Sequence, residues 1–372
     1  MTASFTSFND VRPEVAAFES YEPGLSIAEI AERYGLSRVI KMASNENPLG
    51  VSPRVREVIA GCAGEAFRYP QSGNPRLVKA LASYYGVDAG RIFVGNGSDE
   101  VIDLLFRVRA IPGVHNAAVF RPCFGLYPTQ AQMAGVELRQ VPLKPDFTFD
   151  FDGLLKVIDE NTTLVIVTSP DNPSGRVASI EDLEALARAL PPACLLVVDE
   201  AYIEFAGEEH SLLSRLNDYP NVAIMRTFSK VYGLAGLRIG YAILPPAIAD
   251  YMWRVRLPFS LNILAEEAAL AALADGEFRD RTVELVKRGR ARLTEGLRAM
   301  GCEVTPSLSN FIMFRLPEGD VDAKTLHGEL LKRGVIIRAL GSYHLPDRLR
   351  VSVGTDEENE LFLRLVREIL GK

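Results

Sequence analysis

Residues Asn221–Tyr241 read NVAIMRTFSKVYGLAGLRIGY. The stretch opens on a run, Val222–Arg226, with the apolar, β-branched character of a buried strand, and Ile239–Leu244 at its close has the same character. Between them lie Ser229, Lys230 and the glycines Gly233 and Gly236, with Gly240 just beyond. A lysine set among apolar neighbours needs a local reason for its charge. Desolvation lowers the pKa of an amine and makes it nucleophilic, which is what a Schiff base with a carbonyl requires. Read alone, Lys230 is more simply a residue whose stem packs and whose head reaches water. Its surroundings decide between the two.

The strand–loop–strand pattern continues outward. Arg91–Val94, Ala117–Phe120, Val136–Val141, Thr163–Thr168 and Leu195–Asp199 read as further strands, separated by helical patterns such as Glu100–Val108 and Ile180–Ala189. Such alternation predicts an α/β domain with a mostly parallel central sheet. Past residue 265 the pattern changes to long helices, Ala265–Ala274 and Asp280–Met300. Short strands follow at Glu303–Pro306, Phe311–Arg315, Val335–Arg338 and Leu349–Val353, then a last helix at Asp356–Leu370. The expected organisation is a large domain over 41–265 and a smaller α+β domain over 266–372. Residues 1–40, with one helical pattern at Ile27–Tyr34, form an arm joining the small domain.

With 372 residues, 48% of them hydrophobic, the chain can bury a large core and a satellite. A net charge of -7 and a pI of about 5.4 argue against nucleic acid or an acidic membrane surface as partner. Small anionic ligands remain open, because local arginines can override a global excess of acid. The cysteines (Cys62, Cys123, Cys194, Cys302) and histidines (His115, His210, His327, His344) are scattered without metal-ligand spacing, so no metal is expected. The N-terminus lacks a signal-peptide pattern and no apolar run approaches a membrane span, so the expectation is a reducing cytoplasm.

Ligands of open α/β sheets sit at the carboxyl ends of the strands, and polar groups collect there in this sequence. GNGSDE (Gly95–Glu100), SPDNPSG (Ser169–Gly175), DEAY (Asp199–Tyr202) and Ser229-Lys230 each follow a strand. Gly95, Gly97 and a helix starting at Ser98-Asp99 offer backbone N–H groups to an anion, and Arg238 and Ser229 can add donors to the same phosphate. A dinucleotide fingerprint competes, but its third glycine is absent; Asp99 also reads as a plain helix cap. Asp199 ends the wholly apolar run LLVVD and so must meet a cation or a polar partner. A Walker-type magnesium site would need a phosphate loop that the chain lacks. A pyridinium nitrogen suits Asp199 better, and Asn172 and Tyr202 are placed to hydrogen-bond a phenolic oxygen. Phosphate, pyridinium, phenolate and an aldehyde for Lys230 occur together in pyridoxal 5′-phosphate.

These residues resemble the fold-type I aminotransferases, most closely the histidinol-phosphate aminotransferase family. The similarity covers nearly the whole chain, from SNENPLGVSP at Ser44 through RYP at Arg68, GNGSDE, SPDNPSG, VVDEAYIEF and RTFSKVYGLAGLRIGY to LRVSVGT at Leu349. The resemblance implies that Lys230 bonds covalently to the cofactor and that Asp199 keeps its ring nitrogen protonated. It implies that Asn172 and Tyr202 touch the phenolic oxygen, that Phe124 stacks on the ring, and that Ser98, Asp99, Ser229 and Arg238 form the phosphate cup. Tyr69 matches a tyrosine reaching the cofactor of the neighbouring subunit, which implies a homodimer. Arg350 matches the residue that grips the α-carboxylate of an amino-acid substrate, here the carboxylates of the glutamate and 2-oxoglutarate couple. Arg338 matches one that binds the phosphate of histidinol phosphate, and Tyr21 one that closes over substrate. Asp171 and Ser174 depart from the asparagine and threonine usual in the family, as does Ser260 from asparagine, and Phe124 replaces a frequent tyrosine. Three other functions share these features: an aromatic amino acid aminotransferase, a threonine-phosphate decarboxylase, and a cofactor-binding regulator. The last needs a DNA-binding domain, for which the arm is too short.

Overall fold

A computed structural model describes residues 10–18 and 26–372. Its strands in chain order begin with β1 (Ile40–Lys41), then β2 (Ile92–Asn96), β3 (Asn116–Arg121), β4 (Glu137–Pro142) and β5 (Thr162–Thr168). There follow β6 (Leu195–Asp199), β7 (Val222–Thr227) and β8 (Ile239–Ile243). Strands β2 to β8 form one seven-stranded sheet in the order β2-β8-β7-β6-β5-β3-β4. The pairs from β7 through β4 are parallel, whereas β8 runs antiparallel to both of its neighbours. Because β8 reverses direction, β2 points the same way as β7, and the carboxyl ends of β2, β5, β6 and β7 share one edge.

The sheet is covered on both sides, which explains why its strands read as continuous apolar runs. Successive side chains alternate between two cores. Val165, Val167, Leu196, Val198 and Ile224 enter the larger one, and Leu164, Ile166, Leu195, Val197 and Met225 the smaller. The smaller core is closed by Ser98–Arg109, Leu126–Ala134 and Pro246–Val255. Helix Ser98–Arg109 carries Asp99 and Glu100 in its first turn and Arg107 and Arg109 in its last, the charge order its dipole favours.

The larger core runs on into the C-terminal part of the chain. There β9 (Glu303–Val304), β10 (Phe311–Arg315), β12 (Arg338–Ala339) and β13 (Arg348–Ser352) form an antiparallel sheet in the order β12-β13-β10-β9. Helices Gly276–Ala299 and Asp356–Ile369 lie beside it, the second opened by a Thr355–Glu358 capping box. Val335–Arg338, expected as one strand, is divided. Its first part, β11 (Val335–Ile336), pairs in parallel with β1, while Arg338 belongs to β12. A segment serving two sheets cannot be told from a single strand by its composition.

Candidate active site

Asp199 closes β6 and is buried. Its Oδ2 accepts a 2.6 Å hydrogen bond from the Tyr127 hydroxyl, and its Oδ1 accepts one of 3.1 Å from the Ala201 N–H. Burial pushes its carboxyl up to about 6, against the pull of the Tyr127 bond. Lys230 follows β7. Burial, then the positive charge of Arg350, lowers its amine to about 8. Its Nζ donates to the Ser44 carbonyl at 3.4 Å and lies 5.5 Å from the centre of the Tyr202 ring.

Tyr202 is buried, and its hydroxyl accepts from Asn45 Nδ2 at 3.0 Å. Asn172 lies in the same group, its Oδ1 accepting from Arg350 Nη1. Arg350 also donates from Nη2 to the Ala43 carbonyl at 2.9 Å and packs over Phe311, while its buried Nε has no partner. A buried guanidinium N–H without an acceptor is costly, and this one suits an incoming carboxylate. In the β12–β13 ladder Arg338 stands directly opposite Arg350. Like charges opposite one another on one sheet face repel. An anion between them would remove that penalty.

At the neighbouring strand end, helix Ser98–Arg109 begins on Gly97 (φ 82°), which gives its first N–H groups no side-chain cap. Arg238, held in the left-handed region at φ 57°, places Nη2 2.9 Å from Asp99 Oδ2. Two glycines make this cup possible. A Cβ on Gly240 would lie 2.1 Å from the Ser98 nitrogen, and one on Gly97 would lie 2.5 Å from Arg238 Nη2. Ser229 is buried beside them, its N–H held by Thr227 Oγ1 at 3.0 Å.

The structure thus brings together Lys230, Asp199, Tyr202, Asn172 and Arg350, with Ser98, Asp99, Ser229 and Arg238 at the adjoining strand ends. Phe124 is half-buried, edge-on to Tyr127 at 5.8 Å. Tyr69 stands apart: it is 80% exposed and stacks on Phe259 at 4.8 Å. Tyr21 lies outside the described residues. Asp171, beside Asn172, keeps its carboxyl occupied with the N–H of Ser174 at 3.0 Å and with the Ser174 hydroxyl. The Asp171 and Ser174 departures therefore form one self-contained turn.

Sequence reading missed two residues here. Tyr127 looks like an ordinary core aromatic of helix Leu126–Ala134; the signal was Asp199 itself, which closes an apolar strand and must have a donor. Asn45 adopts φ 55° and bonds Tyr202 as well as Ser352, to which it is linked by two 2.9 Å bonds. Its position within SNENPLG was the available clue.

This donor and acceptor set fits pyridoxal 5′-phosphate. A cup of uncapped helix N–H groups beside Arg238, into which a Cβ would intrude, suits its phosphate. The buried Asp199 suits a protonated ring nitrogen, and the amine of lowered pKa suits an aldehyde.

Residues 37–366 match the family described as aminotransferase class I and II. A histidinol-phosphate aminotransferase of Nitratidesulfovibrio vulgaris is 58% identical to this chain, over 100% of this chain and 99% of the relative. Among solved structures, a histidinol-phosphate aminotransferase of Sinorhizobium meliloti in complex with pyridoxal-5′-phosphate superposes with a TM-score of 0.89. It is 29% identical and is covered to 99%, as is this chain. An L-threonine-O-3-phosphate decarboxylase of Porphyromonas gingivalis, 22% identical, shares the fold with a TM-score of 0.77 over 90% of this chain and 100% of its own. By the breadth of the family match and the full-length identity to its relatives, this chain is a member of the class I and II aminotransferases.

Proposed function

We propose that the protein is a pyridoxal-phosphate-dependent aminotransferase that moves the amino group of histidinol phosphate to 2-oxoglutarate. The observation that carries the substrate is the facing pair Arg338 and Arg350, whose repulsion an anionic substrate relieves. The relatives named above add weight to the same reading.

When bound, the cofactor supplies an aldehyde and an electron-accepting ring. Asp199 holds the proton on the ring nitrogen as one half of a buried ion pair. Asn172 and Tyr202 hold the phenolic oxygen, Phe124 covers the ring, and Ser98, Asp99, Ser229 and Arg238 with the helix N–H groups seat the phosphate. Lys230 Nζ, whose pKa burial lowers to about 8, takes in its neutral form the proton leaving the substrate Cα and delivers it again. Arg350 orients glutamate and 2-oxoglutarate through their carboxylates; Arg338 receives the substrate phosphate, or the second carboxylate of the glutamate pair. Tyr21 closes over the substrate.

The domain limits we propose are 41–265 and 266–372, with 1–40 as an arm. We place the enzyme in the cytoplasm: among the described residues no helix is long and apolar enough to cross a membrane, and the four cysteines are free thiols. A second copy of the chain completes the site, covering the exposed Phe67, Tyr69, Leu257 and Phe259 and receiving Tyr69 at its cofactor phosphate. Sedimentation should give one species of twice the 40.9 kDa chain mass, and a monomer at working concentration would refute the shared site.

The substrate is tested on cofactor-loaded protein without an oxo acid. Histidinol phosphate should rapidly bleach the visible cofactor band and leave aminated cofactor, and Arg338→Ala should raise its KM at least about tenfold. Bleaching by phenylalanine alone would move the protein to aromatic amino acids. Carbon dioxide release from threonine phosphate would make it a decarboxylase.

A further inference from the structure

We propose that Tyr127 is a positioning residue that keeps Asp199 ionised and aimed at the cofactor ring. The inference rests on the cofactor reading above and concerns a residue that does not itself touch the reacting atoms.

Tyr127 is buried, and its hydroxyl meets two partners: Asp199 Oδ2 at 2.6 Å and Thr168 Oγ1 at 2.8 Å. A phenol has one proton to give. Burial and the Asp199 charge hold the Tyr127 pKa well above its ordinary value, so that proton stays on the phenol. An ionised Asp199 can only accept, so the Tyr127 proton goes to Oδ2, and Thr168 supplies its own hydroxyl proton to the Tyr127 oxygen. The ladder brings both partners to the one Tyr127 hydroxyl, because Thr168 and Asp199 are register partners on β5 and β6. Protonation of Asp199 on Oδ2 would force both hydroxyls to reverse, with Tyr127 donating to Thr168 instead. The carboxylate is favoured because its bond from Tyr127 is then charge-assisted.

The selection is needed because other influences oppose it. Burial raises the Asp199 pKa, and so does the charge of Asp99. Lys230, just past β7, opposes them. The remaining titratable neighbours are Tyr202, whose pKa is raised in part by Asp199, and Cys123, a neutral thiol pushed up to about 12 by burial. Among the described residues, only the Tyr127 hydroxyl and the Ala201 N–H hydrogen-bond the carboxylate directly. Two hydrogen bonds thus stand between Asp199 and the neutral acid that burial would make of it.

The test compares wild type, Tyr127→Phe and Thr168→Val, each stripped of cofactor, with pyridoxal phosphate affinity measured by equilibrium dialysis from about pH 5 to 9. In wild type, affinity should rise as Asp199 ionises near 6. Without the Tyr127 donor the carboxyl titrates higher, so Tyr127→Phe should shift that rise to higher pH. It should also weaken binding at neutral pH by about tenfold or more. Thr168→Val, which removes the hydroxyl proton that the Tyr127 oxygen accepts and so weakens the onward bond to Asp199, should give a smaller shift in the same direction. A merely structural role would lower affinity at every pH without moving the profile. An unmoved profile in both variants overturns the proposal, and Thr168→Val alone decides it if Tyr127→Phe does not fold. Failure of wild type to bind the cofactor would instead overturn the reading of the site.

Discussion

Lys230→Ala should abolish turnover, lowering kcat by about 10⁴-fold or more, because it removes both the covalent anchor and the group that carries the Cα proton. The protein itself should fold normally. The Lys230 amine is held at about 8 by burial, so folding desolvates a charge that an unfolded chain leaves in water, and removing it relieves that cost. Loaded with pyridoxal phosphate, the variant should lack the visible band of the covalently attached cofactor and should release the cofactor on gel filtration. Assays with the amino donor, alongside thermal unfolding, separate loss of chemistry from loss of fold. Turnover within about tenfold of wild type would remove Lys230 from the role assigned to it. The low pKa also predicts a direction with pH: capture of the aldehyde by stripped wild-type protein should accelerate as pH rises through about 8, where the neutral amine accumulates.

Arg226→Met should be the largest single loss of stability, about 3–5 kcal/mol in urea unfolding. Arg226 leaves β7 beneath the site with only 1% of its side chain exposed, facing Glu200, which is wholly buried. Its Nε donates to Glu200 at 2.9 Å, its Nη atoms make a fork with Glu208 at 2.8 Å, and Ser211 accepts a further bond of 3.0 Å. The guanidinium also packs over Tyr85, 5.0 Å from the ring centre. Burial alone raises the Glu200 carboxyl, and Arg226 holds it down. Methionine fills the volume but leaves Glu200 a buried acid without a cation. Adding Glu200→Gln should recover part of the loss, since two neutral groups replace one stranded charge. A loss below about 1 kcal/mol for the single variant would show that the Arg226 ion pairs do not hold this region together.

Much of the architecture was legible because the chemistry of the strands is local. Leu195–Asp199 has five consecutive buried residues, and Phe311–Arg315 has four before its exposed arginine; both appear where their composition places them. The helix at Ile180–Ala189 announces itself through Ser179, whose hydroxyl accepts from the Asp182 N–H. What escaped reading depends on distant partners. β1 is two residues long and exists because Val335 and Ile336 lie beside it, nearly three hundred residues away. The same holds at the site. Lys230, Asp199 and Arg238 sit at strand ends where their charge needs explaining, so the sequence marks them. Tyr127 and Asn45 matter through a single hydroxyl or amide whose partner is set by the crossing of β3, β5 and β6, or by the approach of β13.

That approach has a consequence for biosynthesis. The pocket is framed by Ala43, Ser44 and Asn45 near one end of the chain and by Arg350 and Ser352 near the other. Lys230 leaves the ribosome 120 residues before Arg350 (350 − 230), an interval of roughly 6–24 s at ordinary elongation rates. Throughout that interval Lys230 lacks the arginine that helps lower its pKa, and Asn45 waits for a hydroxyl not yet translated. A complete pocket therefore requires Arg350 and Ser352 to have been made, and cofactor capture with native geometry cannot precede them.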